Sequence, residues 1–231
     1  YGDVEWGIIG SQDNKTYYFR GDAIDNCAFC EHQCKKMDIV LDDAILNFMD
    51  EDKIKTVKLS DKYYKLINVI DFEYSSEKYV SKDYLIEEKI LEKFIPKQII
   101  NLNQQGEFRE VVSLFISFKE NNDIQKLKKL IEEAISNTIL LGGYFNRVDF
   151  GDKGGVILVL FGAPVSYENN LIRALNFITQ IRNIFNDDIR AGITMGIAYC
   201  GIVGSERRCE YTAFGDIVNQ SARFMMKADW G

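Results

Sequence analysis

Several features that would place this chain in a membrane, on a nucleic acid or among secreted proteins are missing from it. The longest uninterrupted apolar run covers only Val156 to Phe161, far short of the ~20 residues with which a helix crosses a bilayer. No signal-peptide pattern opens the sequence. The formal net charge is −7, and the basic residues form no dominant cluster. We therefore expect no transmembrane segment and no nucleic-acid partner.

Cysteine is too scarce for a disulfide framework, with five in a chain of 231 residues. Three of them, Cys27, Cys30 and Cys34, lie close together beside His32. A zinc site would need about four such ligands converging on one point. The cysteines instead fall at i, i+3 and i+7 of an expected helix, the spacing of a buried stripe, and His32 would point off that stripe. We expect core cysteines rather than zinc, and free thiols fit a reducing cytosol.

What the chain does contain is a stretch that predicts a hairpin followed by a helix, from Gly201 to Arg223 (GIVGSERRCEYTAFGDIVNQSAR). An apolar strand, a charged turn and a β-favouring strand precede Asp216, which is expected to cap the helix. On that helix Asn219 and Arg223 are four residues apart and project together. An amide and a guanidinium near a helix start can face an anion. The same spacing is also common on solvated helix faces.

The stretch occurs a second time near the start of the chain. Residues 7–29 align with residues 201–223 without a gap, at the constant offset of 194 that separates Gly7 from Gly201. The identical positions set turns and a buried face: Gly7, Ile8, Gly10, Ser11, Tyr17, Gly21, Asp22 and Ala28 recur as Gly201, Ile202, Gly204, Ser205, Tyr211, Gly215, Asp216 and Ala222. Polar positions differ, since Asp25 and Phe29 stand opposite Asn219 and Arg223. We expect two strand–turn–strand–helix units related by a near-twofold axis, with a site between them.

Two αβ regions flank a connector of different character. Residues 1–70 predict strands at 1–10, 15–21, 37–41, 54–59 and 63–70, with helices at 22–36 and 42–49. Residues 71–107 predict a structured linker with a helix at 84–95 and a polar loop beyond Pro96. Residues 108–231 predict strands at 111–118, 144–150, 156–161 and 189–200, with helices at 122–141 and 168–185. That order is βαββαβ, an α+β ferredoxin-like domain with helices on one face.

Long segments of the second domain resemble a known family. The stretch EYTAFGDIVNQSARFMM, with GEFREVVSLFISF at 106–118, FGDKGGVILVLFGAP at 150–164 and IRAGITMGIAYCGIVG at 189–204, is similar to class III nucleotidyl cyclases. The best match is the second catalytic domain of soluble, bicarbonate-regulated adenylyl cyclases. Residues 1–50 resemble the end of the first catalytic domain of those proteins. The resemblance implies an adenylate cyclase, a lyase that converts ATP to cyclic AMP and pyrophosphate between two paired domains, with two Mg²⁺ ions.

The resemblance assigns roles to four residues. Asn219 matches the Asn that positions the ribose, and Arg223 matches the Arg that stabilises the transition state. Thr212 falls where the adenine amino group is recognised. Arg147 falls where the family has an adenine-binding Lys, which keeps the charge but changes the geometry. A guanylyl cyclase would be expected to have Glu and Cys at the last two positions, so the resemblance favours ATP.

Both metal-binding aspartates of the family are replaced in this domain, by Ser117 and Gly155. The neighbouring Asp149 and Asp152 lie off the motif and are interpreted as strand-end and turn residues. The resemblance thus places both Mg²⁺ ions on first-domain residues outside this chain, with no metal ligand within it. Because the chain starts in an expected strand and stops in an expected helix, we expect a piece of a longer protein. Ala28 replaces the Arg that resembling proteins use for bicarbonate, which argues against activation by bicarbonate.

Two hypotheses follow. In the first, the intact parent is an adenylyl cyclase of cyclic AMP signalling, and this fragment alone is inactive. In the second, the chain is a catalytically inactive scaffold or nucleotide-sensing module in a larger assembly. Under both hypotheses the expected location is the cytoplasm, or a cilium or flagellum, as for some resembling proteins. Retention of Asn219, Arg223 and Thr212 favours the first hypothesis, since a scaffold has no physical need of that polar set.

Overall fold

The computed structural model describes residues 1–71, 86–103, 105–119, 123–151, 154–205 and 208–231. The chain forms two compact units: Tyr1–Trp6 with Phe19–Leu85 and Phe150–Asp152, and Gly7–Tyr18 with Ile86–Asp149 and Lys153–Gly231. Within the described ranges, no helix is long and apolar enough to span a membrane.

The first unit is built on a small sheet. The chain opens with a two-stranded sheet of β1 (Glu5–Gly10) and β2 (Lys15–Arg20). Residues 7–18 of this hairpin belong to the second unit. The elements that follow are α1 (Asp22–Gln33), β3 (Val40–Asp42), α2 (Asp43–Leu46), a 3-10 turn (Glu51–Lys53), β4 (Ile54–Lys58) and β5 (Tyr63–Val69). Strands β3, β5 and β4 pair antiparallel in that order. Asp42 fixes the start of α2, because its Oδ1 accepts a hydrogen bond from the Ile45 amide at 2.9 Å.

The second unit is a ferredoxin-like domain. After the short helices α3 (Glu88–Leu91) and α4 (Lys97–Ile100) come β6 (Gly106–Phe118), α5 (Ile124–Leu140), β7 (Tyr144–Asp149), β8 (Gly155–Phe161), α6 (Asn170–Phe185), β9 (Ile189–Ser205), β10 (Arg208–Phe214) and α7 (Asp216–Lys227). The five strands form one antiparallel sheet in the order β10-β9-β6-β8-β7. The predicted α+β fold and its βαββαβ order are confirmed, with β10 added at the edge.

Helices cover both faces of this sheet, not the one face expected, because α7 packs on the side opposite α5 and α6. Along β6, Val112, Leu114 and Ile116 are fully buried on the face that α5 and α6 cover, where Phe161 meets Phe177 with ring centroids 6.0 Å apart. The alternate residues of β6 face α7. On that side the Ser113 hydroxyl lies 2.8 Å from the hydroxyl of Ser221.

Glycines on β9 let α7 lie close to the sheet. A Cβ added at Gly192 would lie 2.1 Å from the Ser221 carbonyl oxygen, and one at Gly196 would lie 2.8 Å from the Ile217 side chain. Between them, the Thr194 hydroxyl donates to the Ile217 carbonyl at 2.6 Å. The two glycines allow the short distance between α7 and β9, and the hydrogen bond fixes the position of the helix along the strand.

The two repeat copies have the same local structure. Helices α1 and α7 begin and end at equivalent positions, because Asp22 and Gln33 are each separated by 194 residues from Asp216 and Lys227. In the turns, Gly10 and Gly204 share a φ of 135°, and a Cβ on either would lie 2.2 Å from a backbone carbonyl oxygen. The expected strand–turn–strand–helix unit is confirmed in both copies. The twofold relation between them stays a prediction.

Helix caps and boundaries differ from expectation at several points. Gly215, not Asp216, is the N-cap of α7; Asp216 is already helical, and its Oδ2 accepts a hydrogen bond from the Gln220 side chain at 2.8 Å. The strand expected from residue 37 begins at Val40, because Met37 has a φ of 67°, which no strand residue adopts. The helix expected over 84–95 lies partly outside the described residues, and its described part is helical only over Glu88–Leu91.

Two expected apolar stripes are also corrected. On α5, Ile139 is 49% exposed and Thr138 is buried instead, with its hydroxyl bonded to the Ala134 carbonyl at 2.6 Å. Position 138 continues the row of buried residues, whereas residue 139 is rotated about 100° away. On α1 only Cys30 is buried, while Cys27 is exposed and Cys34 is half-buried. Within the described ranges, no three His, Cys, Asp or Glu side chains come together as a metal site.

Candidate functional site

Strands β7 and β10 meet through their side chains, although they lie at opposite edges of the hydrogen-bonding order. The Tyr144 and Tyr211 rings pack edge to face with centroids 5.6 Å apart. Both strands belong to the second unit. The curl of the sheet therefore brings Arg147 and Thr212, the two residues expected to recognise a base, onto one surface.

A β-bulge at Asn146 shapes this surface. In the pairing of β7 with β8, Phe145 faces Val159 and Arg147 faces Leu158, so Asn146 has no partner residue. Side chains of a regular strand alternate between faces. The extra residue lets two consecutive side chains, Asn146 and Arg147, both reach β10.

Asn146 holds Thr212 by hydrogen bonds. Its Nδ2 donates to the Tyr211 carbonyl oxygen at 2.7 Å, and its Oδ1 accepts from the Thr212 hydroxyl at 3.3 Å. Thr212 is only 2% exposed, so a ligand reaches its hydroxyl only when the side chains above it move aside. The contact makes Asn146 a member of the site that the sequence motif did not indicate.

Two carboxylates hold Arg147. Its Nε donates to Asp149 Oδ2 at 2.7 Å, and its Nη1 donates to Glu210 Oε1 at 3.3 Å. Asp149 ends β7, as expected; Asp152 lies outside the described residues. Glu210 was not singled out from the sequence, although strand alternation places it beside Thr212 on one face of β10.

The tyrosines around these polar groups are kept neutral. Burial raises the pKa of Tyr144 well above its usual value, an effect that a hydrogen bond with Asn146 only partly offsets. Burial likewise raises the pKa of Tyr211 to about 12. Cys200, buried in the same core cluster as Tyr211, has its thiol pKa raised by burial to about 11. The surface between β7 and β10 therefore has an apolar floor in which ionisation is disfavoured.

Asn219 and Arg223 lie on the exposed side of α7. The opposite side of the helix is buried through Val218, Ser221 and Met225. Neither the Asn219 nor the Arg223 side chain makes a hydrogen bond or ion pair with any described residue. The structure thus presents the pair together, as the spacing predicts, and leaves both groups available to a ligand.

The two positions at which the resemblance expects metal-binding aspartates do not fit a metal ion. Ser117 is fully buried and its hydroxyl bonds to no described residue, and Arg190, a cation, is its cross-strand neighbour on β9. At the second position, a Cβ added to Gly155 would lie 1.9 Å from the Phe118 ring. This half of the fold offers a hydroxyl, a guanidinium and a closed space where a divalent cation would require carboxylates.

The structure thus assembles the expected residues as two pairs. Asn146 links Arg147 and Thr212 on β7 and β10, and Asn219 with Arg223 follows on the helix after β10. Among described residues, no hydrogen bond or ion pair joins one pair to the other. Gly215 alone connects the strand that carries Thr212 to the helix that carries the second pair.

Comparison with known proteins identifies relatives over most of the chain. Adenylate cyclase type 10 of Oryctolagus cuniculus is 24% identical over 97% of this chain, and that of Homo sapiens is 32% identical over 68% of it. The chain spans 17% and 10% of the length of these two relatives. No protein-family model matches.

Solved structures that match part of the chain include nucleotide cyclases. The adenylyl cyclase CyaB from P. aeruginosa is 18% identical with a TM-score of 0.47, over 55% of this chain and 76% of that one. The guanylate cyclase domain of RhGC from Catenaria anguillulae, in complex with GTP, is 21% identical with a TM-score of 0.47, over 54% of this chain and 76% of that one.

Proposed function

The chain is a homologue of adenylate cyclase type 10, the soluble adenylyl cyclase, over most of its length, and we propose that it supplies the substrate-binding half of a cyclase. In the full-length protein this cyclase converts ATP into cyclic AMP and pyrophosphate. The observation that carries the proposal is the polar surface on β7, β10 and α7. It presents Arg147 and Thr212, with the Asn146 side chain hydrogen-bonded to Thr212. The helix that follows presents Asn219 and Arg223, whose side chains bond to no described residue.

The first pair recognises the base. Arg147 is held by Asp149 and Glu210, which limits the positions its remaining N–H groups can take. Thr212 offers a hydroxyl to the adenine amino group. Tyr144 and Tyr211 pack edge to face with centroids 5.6 Å apart, and this contact holds β10 against β7 beside Thr212.

The second pair acts on the ribose and the phosphates. In the reaction the ribose 3′-oxygen bonds to the α-phosphorus, and the bond from that phosphorus to the bridging oxygen of pyrophosphate breaks. Negative charge moves onto oxygens of the transferring group, where the Arg223 guanidinium stabilises it. Asn219, one turn earlier on α7, holds the ribose so that its hydroxyl meets the phosphorus.

The Mg²⁺ ions of the proposed cyclase would be bound by its first catalytic domain, not by the residues of this chain. When bound, they would stabilise charge on the attacking and leaving oxygens. Ser117 and Gly155 supply no carboxylate for them. This half therefore contributes binding and orientation, and the 231-residue chain alone is expected to be inactive.

A non-catalytic scaffold or nucleotide sensor is the alternative, and one observation favours it. Thr212 is 2% exposed, with its hydroxyl bonded inside the protein. In a scaffold that contact would only tie β10 to β7.

Alanine variants of the α7 pair in the full-length protein test the proposal. Arg223→Ala and Asn219→Ala should each lower kcat by roughly a hundredfold or more, with little change in KM, because their interactions strengthen in the transition state. Gln220→Ala, a neighbour whose side chain bonds to Asp216, is the matched control and should stay near wild type. Full activity of Arg223→Ala would exclude the role given to that residue.

A further inference from the structure

We infer that Asn146 determines which purine the site accepts, because it fixes the direction of the hydrogen bond made by Thr212. The inference rests on the proposed function, since it concerns the same site. It assigns a positioning role to a residue that the sequence motif leaves without one.

The direction of each hydrogen bond follows from what the backbone allows. The Tyr211 carbonyl oxygen can only accept, so the Asn146 atom 2.7 Å from it must be the amide nitrogen. The carbonyl oxygen of the Asn146 amide then faces Thr212, whose hydroxyl lies 3.3 Å away. That oxygen also only accepts, so the single hydroxyl hydrogen of Thr212 is donated to Asn146. Thr212 keeps only lone pairs for a ligand.

A hydroxyl that can only accept distinguishes adenine from guanine. Adenine carries an amino group at position 6, which donates, whereas guanine carries a carbonyl oxygen there, which accepts. An oxygen of guanine would face the Thr212 lone pairs with no hydrogen between them. That contact would leave a polar group of guanine without its hydrogen bond, which weakens binding of guanine relative to adenine.

Arg147 presents hydrogen-bond donors to the base, whereas Thr212 presents only an acceptor. A guanidinium only donates, which suits the unprotonated ring nitrogen beside the amino group of adenine. Guanine carries a hydrogen on the corresponding nitrogen. The bulge at Asn146 is what places an acceptor-only Thr212 and a donor-only Arg147 on one surface, because a regular strand would send residues 146 and 147 to opposite faces.

The ratio of kcat/KM for ATP to kcat/KM for GTP in the full-length protein tests this inference. Asn146→Leu removes the acceptor and frees the Thr212 hydrogen to meet the guanine oxygen, so the ratio should fall by about tenfold or more. Asn146→Asp keeps an oxygen beside Thr212, so its ratio should stay within about threefold of wild type even where both rates fall. A purely structural role for Asn146 would lower both rates and leave the ratio unchanged in both variants.

Two further variants control the measurement. Asn137→Leu removes an amide that bonds only within α5, and its ratio should equal wild type. In a Thr212→Val background, Asn146→Leu should change the ratio no further, because the hydroxyl it acts through is gone. Where Asn146→Leu does not fold, Asn146→Ser serves instead, since its hydroxyl is too short to reach Thr212.

The outcomes separate this inference from the proposed function. An active wild type whose ratio is unchanged by Asn146→Leu or Asn146→Ser overturns the inference and leaves the cyclase assignment standing. Where the wild type turns over neither nucleotide, the same ratio is measured as binding of fluorescent ATP and GTP analogues. A wild type that binds neither analogue overturns both.

Discussion

At the scale of single residues, the chemistry of the site depends on which groups restrain Arg147. Its guanidinium uses two different nitrogens to meet two carboxylates, Asp149 and Glu210. A lysine has one nitrogen on a flexible stem and cannot hold the same geometry. Only an arginine can make both contacts at once. Replacing Arg147 by lysine, the residue of resembling proteins, therefore tests what this restraint contributes.

Arg147 variants of the full-length protein are expected to separate binding from turnover. Arg147→Ala should raise KM for ATP by about tenfold or more with kcat little changed, because contacts to the base are equally strong before and in the transition state. Arg147→Lys should fall between that variant and the wild type. Steady-state kinetics measures both constants. A fall in kcat at constant KM would mean that Arg147 acts on the reacting groups instead.

Residue types at the site could be predicted from the sequence, but their contacts could not. Spacing suggests Asn219 and Arg223 as candidates, and the resemblance adds Thr212 and Arg147. Asn146 was not, because its role depends on a bulge, and an inserted residue in a strand has no signature in YFNRVDF.

At the scale of elements, the position of α7 on the sheet decides where Asn219 and Arg223 stand. A Cβ added at Gly192 would lie 2.1 Å from the Ser221 carbonyl oxygen and 2.3 Å from the Met225 amide nitrogen, so a side chain there must displace the helix. Gly192→Ala is expected to destabilise the protein by about 1–3 kcal/mol, the usual cost of overpacking. Urea denaturation of this variant measures the loss, and Gly151→Ala, where a Cβ would meet only Ala28 at 3.9 Å, is the control. Equal stability of the two variants would show that α7 does not rest on Gly192 as described.

The space beside Gly155 predicts that placing aspartates at residues 117 and 155, where resembling cyclases have them, does not create a metal site. In a Ser117→Asp, Gly155→Asp double variant, the new side chain at 155 collides with the Phe118 ring. We expect lower stability and no Mn²⁺ binding by calorimetry, whereas an added Phe118→Ala change should relieve the collision. Tight Mn²⁺ binding by the double variant with Phe118 in place would show that this space opens readily.

The order and type of the main elements followed from sequence periodicity, because βαββαβ patterning depends on burial that alternates with fixed periods. Caps and boundaries did not. Met37 adopts a left-handed conformation that no propensity for methionine suggests. The N-cap of α7 is Gly215 rather than Asp216, which is the first helical residue and accepts a hydrogen bond from the Gln220 side chain.

At the scale of the whole molecule, buried groups with raised pKa values predict sensitivity to alkali. The pKa of Cys200 rises to about 11 and that of Tyr211 to about 12, above the ordinary values of 9.0 and 10.0. The folded state thus binds these protons more tightly than the unfolded state does. The stabilisation that these protonated groups give the folded state is fully present below about pH 9 and is lost as the pH rises toward 12.

Urea denaturation across that pH range measures the effect. The free energy of unfolding should decline above about pH 9, and Tyr144→Phe, which removes a buried hydroxyl with a raised pKa, should decline less steeply. Tyr167→Phe changes an exposed tyrosine and should follow the wild type. A wild-type profile that stays flat to pH 12 would contradict the burial of these groups.

The most direct test of the account is the reaction itself. Purified full-length protein, given ATP and Mg²⁺, should form cyclic AMP and pyrophosphate in equal amounts, with a much lower rate for GTP. The 231-residue chain under the same conditions should form none, because Ser117 and Gly155 stand where resembling cyclases have the carboxylates proposed to bind Mg²⁺. Failure of the full-length protein to form any cyclic nucleotide, or metal-dependent synthesis by the 231-residue chain alone, would contradict the account.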